Sequence, residues 1–211
     1  MRIYFLLILL ASSSYASSGN QDASSVITAM CRHYETLKEL RIHCIAARTN
    51  PKRVIASGTI EFKRNDLLQV NWLEFAMPDQ IPQTEFVLTI KNGENSIHQN
   101  GKPVEKYETV EYAVAAATAI SWGIACELPA LLLSLDPNHH PKEILNATIA
   151  RQDSLNGHPC FVVKGQLGPR NEKCTLWIRI TDFSLLQIEY GDGYCLFYWG
   201  EKTEQGAAVN P

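Results

Sequence analysis

The sequence predicts an α+β fold: a curved, half-open antiparallel β-sheet or barrel, with an N-terminal helix and a pair of helices covering its concave side. Three observations predict this fold. Short stretches along the chain alternate apolar and polar side chains, which is the pattern of strands that bury one face. Asn-Gly pairs and other turn residues separate neighbouring stretches, as in hairpins. Other segments space their apolar residues at helical intervals instead.

The start of the chain predicts export. A positive Met1-Arg2 is followed by an apolar stretch at residues 3–11 and then by a small-x-small cleavage site, which is typical of a secretory signal peptide. The apolar stretch is much shorter than the roughly 20 residues that a membrane-spanning helix needs. We therefore expect residues 1–16 to be a signal peptide and residues 17–211 to form a single domain. The mature protein would then lie in the periplasm or be secreted.

Composition narrows the classes of partner. The 211 residues are 45% hydrophobic and carry a formal net charge of −3, as in an ordinary globular protein. The longest basic runs are pairs such as Lys52-Arg53 and Lys63-Arg64, so the sequence lacks the basic patch that a nucleic acid or an acidic membrane would require. We expect a monomer that binds no nucleic acid and does not span a membrane.

The first half of the domain should contain one helix and then a meander of strands. Apolar residues recur at helical spacing over residues 25–40, behind a Ser24-Ser25 N-cap. Strands are then predicted at residues 41–48, 55–64, 67–75, 85–91 and 95–99, with Asn92-Gly93 and Asn100-Gly101 as turns.

Residues 109–135 interrupt the strand pattern and predict a pair of helices. Thr109 is a candidate N-cap for an Ala-rich first helix, Gly123 ends that helix, and Pro129 lies in the first turn of the second. Both helices are apolar on nearly all sides, so they must be buried on more than one face. Two interpretations follow: the pair forms a movable lid, or it completes the core.

The chain then returns to strands, and its tail reads as coil. Strands are predicted at residues 147–153, 159–165, 173–180, 184–190 and 193–199. Because residues 200–211 carry no strand pattern, the last segment that could close a barrel is short or missing.

Residues 58–75 are the most informative segment, because they predict a hairpin with an apolar face and a charged end. Ile60 and Phe62 share a face with Arg64 at the end of the first strand, and Leu68 and Val70 continue that apolar pattern after the turn.

This hairpin resembles the LolA/LolB-like periplasmic lipoprotein carriers and their carrier-like relatives. The resemblance rests on segments in the family's order: Gly-x-Ile-x-Phe-Lys-Arg at 58–64, Phe86–Ile90 with Asn92-Gly93, Gly157–Val163, and Leu176–Ile178. Two positions depart from the family: Asn65 replaces the Pro that usually follows the Arg, and Glu61 replaces an aromatic residue. No cysteine lies near the predicted cleavage site, which favours the freely diffusing carrier over the membrane-anchored acceptor.

The resemblance implies a LolA-like domain with a cavity that shelters acyl chains. The residues expected to line it are Ile60, Phe62, Arg64, Leu68, Val70, Trp72, Phe86, Leu88, Ile90, Ile120, Leu131 and Leu132. In such carriers the Arg at the position of Arg64 is thought to hold the lid shut by hydrogen bonds to backbone carbonyls. The alternative for Arg64 is an ordinary rim cation paired with Glu61 or Asp66.

The six cysteines of an exported chain raise the question of disulfides. Cys160 and Cys174 begin and end one predicted hairpin, which makes them the expected pair; the alternative is that both are small core residues. The sequence does not pair the other four, Cys31, Cys44, Cys126 and Cys195.

The sequence gives no positive support for catalysis or for a cofactor. It lacks nucleophile-elbow, P-loop and dinucleotide motifs. Asp136, His139 and His140 share one Pro-rich loop, which more often indicates a solvated turn than a metal site.

Three classes of function remain. The first is a carrier or chaperone for lipids or lipidated proteins, which would bind their acyl chains. The second is a lipid-sensing regulator of the same fold that binds a partner protein, such as one anchored in the membrane. The third is a secreted structural domain or an enzyme without a recognisable motif.

Overall fold

A computed structural model describes residues 22–76, 81–104, 107–118, 127–133, 140–168 and 171–199. The helices are α1 (Ala23–Thr36), α2 (Val110–Thr118) and α3 (Glu127–Leu133), with a 3-10 turn at Pro141–Glu143. The strands are β1 (Glu39–Thr49), β2 (Lys52–Lys63), β3 (Leu67–Ala76), β4 (Ile81–Lys91), β5 (Glu94–Gln99), β6 (Lys102–Pro103), β7 (Leu145–Leu155), β8 (His158–Leu167), β9 (Glu172–Arg179), β10 (Leu185–Tyr190) and β11 (Gly193–Trp199).

The strands form one antiparallel sheet of 11 strands, in the order β6-β5-β4-β3-β2-β1-β11-β10-β9-β8-β7. Neighbours in sequence are neighbours in the sheet, except that β1 pairs with the last strand, β11. The edge strands β6 and β7 do not pair with each other in the described part of the chain, so the sheet is open. The predicted fold class is therefore confirmed.

The turns follow from local sequence. Asn92-Gly93, Asn100-Gly101 and Asn156-Gly157 all adopt positive φ at both residues, the conformation that two-residue hairpins require. Asn and Gly adopt this conformation at low cost, because Asn can hydrogen-bond locally and Gly has no Cβ. The sequence had indicated the first two of these turns.

Every strand predicted from the sequence is present, with ends that differ by a few residues. Helix α1 begins earlier than expected, because Asp22 rather than Ser24 caps it: the Asp22 carboxylate accepts a hydrogen bond of 2.7 Å from the Ser25 N–H. The short edge strand β6, which follows the Asn100-Gly101 turn, was not predicted. Five predictions lie outside the described residues: the signal peptide, Ile120, the helix end at Gly123, the Asp136 and His139 part of the loop, and the tail at 200–211.

The three helices cover one face of the sheet, which we call the inner face. Helix α2 contacts β3, β4 and β5, α3 contacts α1, and α1 contacts β7 and the 3-10 turn. Buried residues of all three helices form a single cluster with the apolar residues of the inner face. This arrangement confirms that the helices cover the sheet, and the burial matches the interpretation in which α2 and α3 complete a core.

Gly58 on β2 allows the close packing of β2 against β3. It lies directly opposite Trp72, and a Cβ at this position would overlap the Asn71 carbonyl and come within 3.0 Å of the Trp72 ring. Trp72 is 1% exposed, so the indole cannot move away into solvent. A side chain at position 58 would therefore disturb the centre of the sheet.

The expected disulfide between Cys160 and Cys174 is wrong, because the sheet register separates the two residues. Cys160 lies opposite Arg179, whereas Cys174 lies opposite Gly165. They are thus five positions out of register, about 16 Å along the strands, and alternation directs them to opposite faces. A disulfide requires Cα atoms within about 7 Å. Both thiols are buried, and no disulfide joins them.

The other described cysteines are also buried as thiols, at positions 31, 44 and 195. Burial raises the pKa of Cys31 to about 11, and it also raises the pKa of Cys44. A protonated thiol is a poor nucleophile, so these two side chains behave as small apolar core residues. Cys126 lies outside the described residues.

Gly58→Ala should lower the free energy of unfolding by about 2–3 kcal/mol, because the methyl group overpacks a fully buried contact. Gly93→Ala is the control: no atom lies within 4 Å of its Cβ, so only the positive φ of 80° opposes the change, at a cost of about 1 kcal/mol. Urea denaturation of both variants tests this ordering. Equal losses would show that contact with Trp72 and Asn71 does not govern position 58.

Candidate ligand-binding site

A cavity of about 580 Å³ lies at one end of the sheet, between the β2–β3 and β4–β5 turns and the ends of two helices. We call this cavity the mouth. Its lining residues are Phe62, Lys63, Arg64, Asn65, Asp66, Leu67, Leu68, Ile90, Asn92, Gly93, Val110, Glu111, Leu132 and Leu133.

The floor of the mouth is a row of three apolar side chains on the inner face. Phe62 on β2 pairs with Leu68 on β3, and Leu68 pairs in turn with Ile90 on β4. Strand alternation fixes this row, because residues in register across neighbouring strands lie on the same face. Val110 from the start of α2 and Leu133 from the end of α3 form the wall that faces it.

The lip of the mouth is polar and charged. Lys63 and Asp66 form an exposed ion pair of 3.2 Å across the β2–β3 turn, and Asn65 in that turn adopts a positive φ of 63°. This φ accounts for Asn at the position where the resembling family has Pro, since Pro is locked at negative φ. The mouth therefore combines an apolar interior with a rim that keeps contact with water.

Arg64 connects the lip to helix α1. Its Nε donates a hydrogen bond of 2.7 Å to the carbonyl of Leu37, and one terminal nitrogen donates a bond of 2.6 Å to the carbonyl of Tyr34. The guanidinium also lies 5.2 Å from the centre of the Phe62 ring. The last carbonyls of a helix lack partners within the helix and carry partial negative charge. Arg64 thus caps the C-terminal end of α1.

This arrangement corrects the expected partner of Arg64. The sequence and the resemblance predicted that its side chain would bond to backbone carbonyls of residues 109–135. It does bond to backbone carbonyls, but they belong to α1 and to its C-cap Leu37. The alternative interpretation paired Arg64 with Glu61 or Asp66 at the rim. In the structure the ion-pair partner of Asp66 is Lys63.

The predicted lining residues that the structure describes fall into two groups, with Phe86 between them. Five line the mouth: Phe62, Arg64, Leu68, Ile90 and Leu132. Five more are at most 1% exposed and belong to the core between the sheet and the helices: Ile60, Val70, Trp72, Leu88 and Leu131. Phe86 is half-buried at the margin of that core. The apolar face is therefore filled along much of its described length, and the mouth lies at its end.

Sequence reasoning missed several residues of the mouth, including Val110, Glu111 and Leu133. Val110 follows the predicted N-cap Thr109, whose hydroxyl does accept a bond of 3.2 Å from the Tyr112 N–H. The cap fixes where α2 starts, and hence that Val110 and Val114 are on one face of the helix. The i, i+4 spacing of Val110 and Val114 was the sequence signal that could have identified Val110 as a lining residue.

A second contact fastens α1 at its other side. The hydroxyl of the fully buried Tyr34 accepts a hydrogen bond of 3.0 Å from the Leu185 N–H on β10. Next to it, the rings of His33 and Trp199 lie 5.8 Å apart, and the Arg179 guanidinium lies 5.8 Å from the Trp199 ring. These contacts join the helix to the β9–β10 hairpin and to the end of β11.

Asp182 provides the negative charge in this second contact. Arg179 donates two hydrogen bonds to its carboxylate, of 2.8 and 2.5 Å, and the Ser184 N–H donates a third. Burial by itself would raise the pKa of Asp182, but these hydrogen bonds outweigh it and hold the pKa at about 2. Burial lowers the pKa of the nearby His33, which favours a neutral imidazole.

The candidate metal loop does not form a site within the described residues. His140 is buried, and its Nδ1 accepts a hydrogen bond of 3.2 Å from the Lys142 N–H, which caps the 3-10 turn. Among the residues that the structure describes, no group of three His, Cys, Asp or Glu side chains could hold a metal ion.

Arg64→Leu should cost about 1.5–3 kcal/mol of stability, because two charge-assisted hydrogen bonds to the end of α1 are lost. Hydrogen exchange should rise in α1 while α2 is unaffected. Lys63→Leu is the matched control, since its exposed ion pair contributes at most about 1 kcal/mol. Faster exchange in α2 rather than in α1 would contradict this role.

Asp182→Asn should remove a contribution to stability that depends on pH. The folded pKa of Asp182 lies below its usual value, so the contribution is complete above pH 3.8 and is lost as the pH falls toward 2. The difference in unfolding free energy between wild type and variant should therefore shrink over this interval. Urea titrations at several pH values measure it, and a constant difference would count against the carboxylate.

No helix within the described ranges is long and apolar enough to cross a membrane. No protein-family model matches the sequence, and no curated protein matches it.

Comparison with solved structures finds proteins of similar architecture. The lipoprotein LppX from Mycobacterium tuberculosis aligns at a TM-score of 0.50 and 11% identity, over 89% of this chain and 98% of that one. LprF from Mycobacterium bovis aligns at 0.48 and 12%, over 90% and 96%. A LolA superfamily protein from Nitrosomonas europaea aligns at 0.33 and 9%, over 86% and 92%. Such identities bear on the fold alone, and at that level the predicted LolA-like resemblance is confirmed.

Proposed function

We propose that this chain is an exported binding protein that shelters acyl chains of lipids or lipidated proteins and acts as a carrier or chaperone. The observation that carries the proposal is the mouth, an apolar chamber that opens at a charged lip. Residues from three strands and two helices converge on it, including Phe62, Leu68, Val110 and Leu132.

The size of the mouth suits a chain-like apolar ligand. Its volume of about 580 Å³ lies within the range of about 300–1,000 Å³ that is usual for ligand sites. Each buried methylene contributes about 0.8 kcal/mol, so one acyl chain of moderate length would bind with useful affinity. The floor is built from large apolar side chains without buried charge, which suits an alkyl chain better than a polar metabolite.

The lip suits the polar end of the same ligand. Lys63, Asp66 and Glu111 surround the opening, and the polar side chains of Asn65 and Asn92 lie beside them. An amphiphile could place its chain on the Phe62 row and leave its headgroup among these side chains and water.

Movement of two helices would enlarge the mouth for a larger ligand. Helix α2 touches the sheet mainly at β4 and β5, whereas α1 is held at both of its sides by Arg64 and by the Tyr34 hydroxyl. Displacement of α2 and α3 would extend the mouth toward Val70 and Leu88 and leave α1 in place. In this proposal α2 and α3 form the movable lid, and α1 is a fixed part of the domain.

An apolar fluorescent probe should bind at the mouth, and lauric acid should displace it. Val110→Ser should weaken probe binding about five-fold, because it removes apolar contact from the wall. Tyr112→Ser is the matched control: it lies on the same helix, is 65% exposed and does not line the mouth. Unchanged probe emission with the correctly folded protein would refute the proposal.

A further inference from the structure

The far end of the sheet carries a pair of arginines that the acyl-chain proposal does not use. Arg48 near the end of β1 lies directly opposite Arg53 near the start of β2. Arg53 is ten residues before Lys63 on the same strand, about 33 Å from the lip of the mouth. This pair is therefore separate from the site described above.

Both arginines belong to the inner face. Ala46 and Ala56 pair with each other in the core cluster, and strand alternation together with the bulge at Ala46 and Ala47 returns Arg48 and Arg53 to that face. Residues that pair directly across two strands have Cα atoms about 4.5–5.5 Å apart. The two arginine side chains thus start from directly opposite positions at the margin of an otherwise apolar face.

The two arginines differ in their acidic partners. Asp192 in the β10–β11 turn forms an ion pair of 3.2 Å with Arg48. No described residue accepts a hydrogen bond from Arg53 or forms an ion pair with it, and its Nε is buried. Like charges directly opposite each other destabilise a pair of strands. The backbone therefore keeps a cation in a position that an added anion would stabilise.

A buried glycine lies next to the pair. Gly193 on β11 lies opposite Arg48 on its other side, and Tyr190 lies opposite Gly193. The Tyr190 hydroxyl donates to the Leu167 carbonyl, which turns it toward β8. The row thus has no side chain between Tyr190 and Arg48.

We propose that Arg48 and Arg53 form an anion site for a phosphate or carboxylate group. The planar guanidinium presents its N–H donors in a fork that matches two oxygens of such a group. Asp192 holds Arg48 in place from one side. Arg53 supplies an Nε–H donor that has no acceptor among the residues that the structure describes. The ligand is either a free anion or the headgroup of an amphiphile.

The test is titration of the ¹⁵N-labelled protein with inorganic phosphate, acetate and dodecyl phosphate, with the arginine Nε–H signals as the readout. Phosphate should shift the Arg53 signal in a saturable manner that weakens with added sodium chloride. Arg53→Gln should weaken binding at least ten-fold. Lys52→Gln, which removes the same charge from the exposed neighbouring residue, should leave it within two-fold.

The three ligands distinguish the sources of the anion. Equal affinity for inorganic and dodecyl phosphate would assign the site to a free anion, and at least ten-fold tighter binding of dodecyl phosphate would assign it to a headgroup. Absence of any saturable shift of the Arg53 signal would overturn the proposal, as would equal effects of Arg53→Gln and Lys52→Gln. Because inorganic phosphate has no apolar part, this result is independent of whether the mouth binds acyl chains.

Discussion

The open edge of the sheet is the constraint on which the rest of the structure depends. In the described part of the chain, β6 and β7 do not pair, so the sheet cannot bury its inner face by closing into a barrel. The apolar residues of that face must therefore be covered by other elements, and α1, α2 and α3 do so. The mouth lies at the end of this face, at the Phe62 row.

The same constraint explains why Arg64 holds α1 rather than the helices at the mouth. Helix α1 ends immediately before β1, and the Arg64 N–H bonds to the Lys38 carbonyl at that junction. The unpaired carbonyls at the end of α1 therefore lie beside the end of β2, within reach of the Arg64 side chain. This fixes one helix firmly. Helices α2 and α3 contribute their buried apolar side chains to the core cluster.

Features that depend on local sequence were predictable, and features that depend on register between distant strands were not. Alternation gave the strands, and Thr109 gave the start of α2. The acceptors of Arg64 could not be inferred, because they are 27 and 30 residues away in sequence. The disulfide prediction failed for a different reason, because the exact position of the turn sets the register of the β8–β9 hairpin. Cys174 pairs with Gly165, which leaves Cys160 on the opposite face.

The two ends of β2 show how one strand can serve two chemistries. Ile60 on this strand is fully buried in the core, and the two proposed sites lie at the ends of the strand. At the Lys63 end an apolar floor lies within a polar rim, which suits the chain of an amphiphile. At the Arg53 end two cations lie opposite each other and next to a glycine, which suits an anion. The core residues between these ends separate the two proposed sites, because the buried side chains of β2 and the helices lie between the apolar floor and the arginine pair.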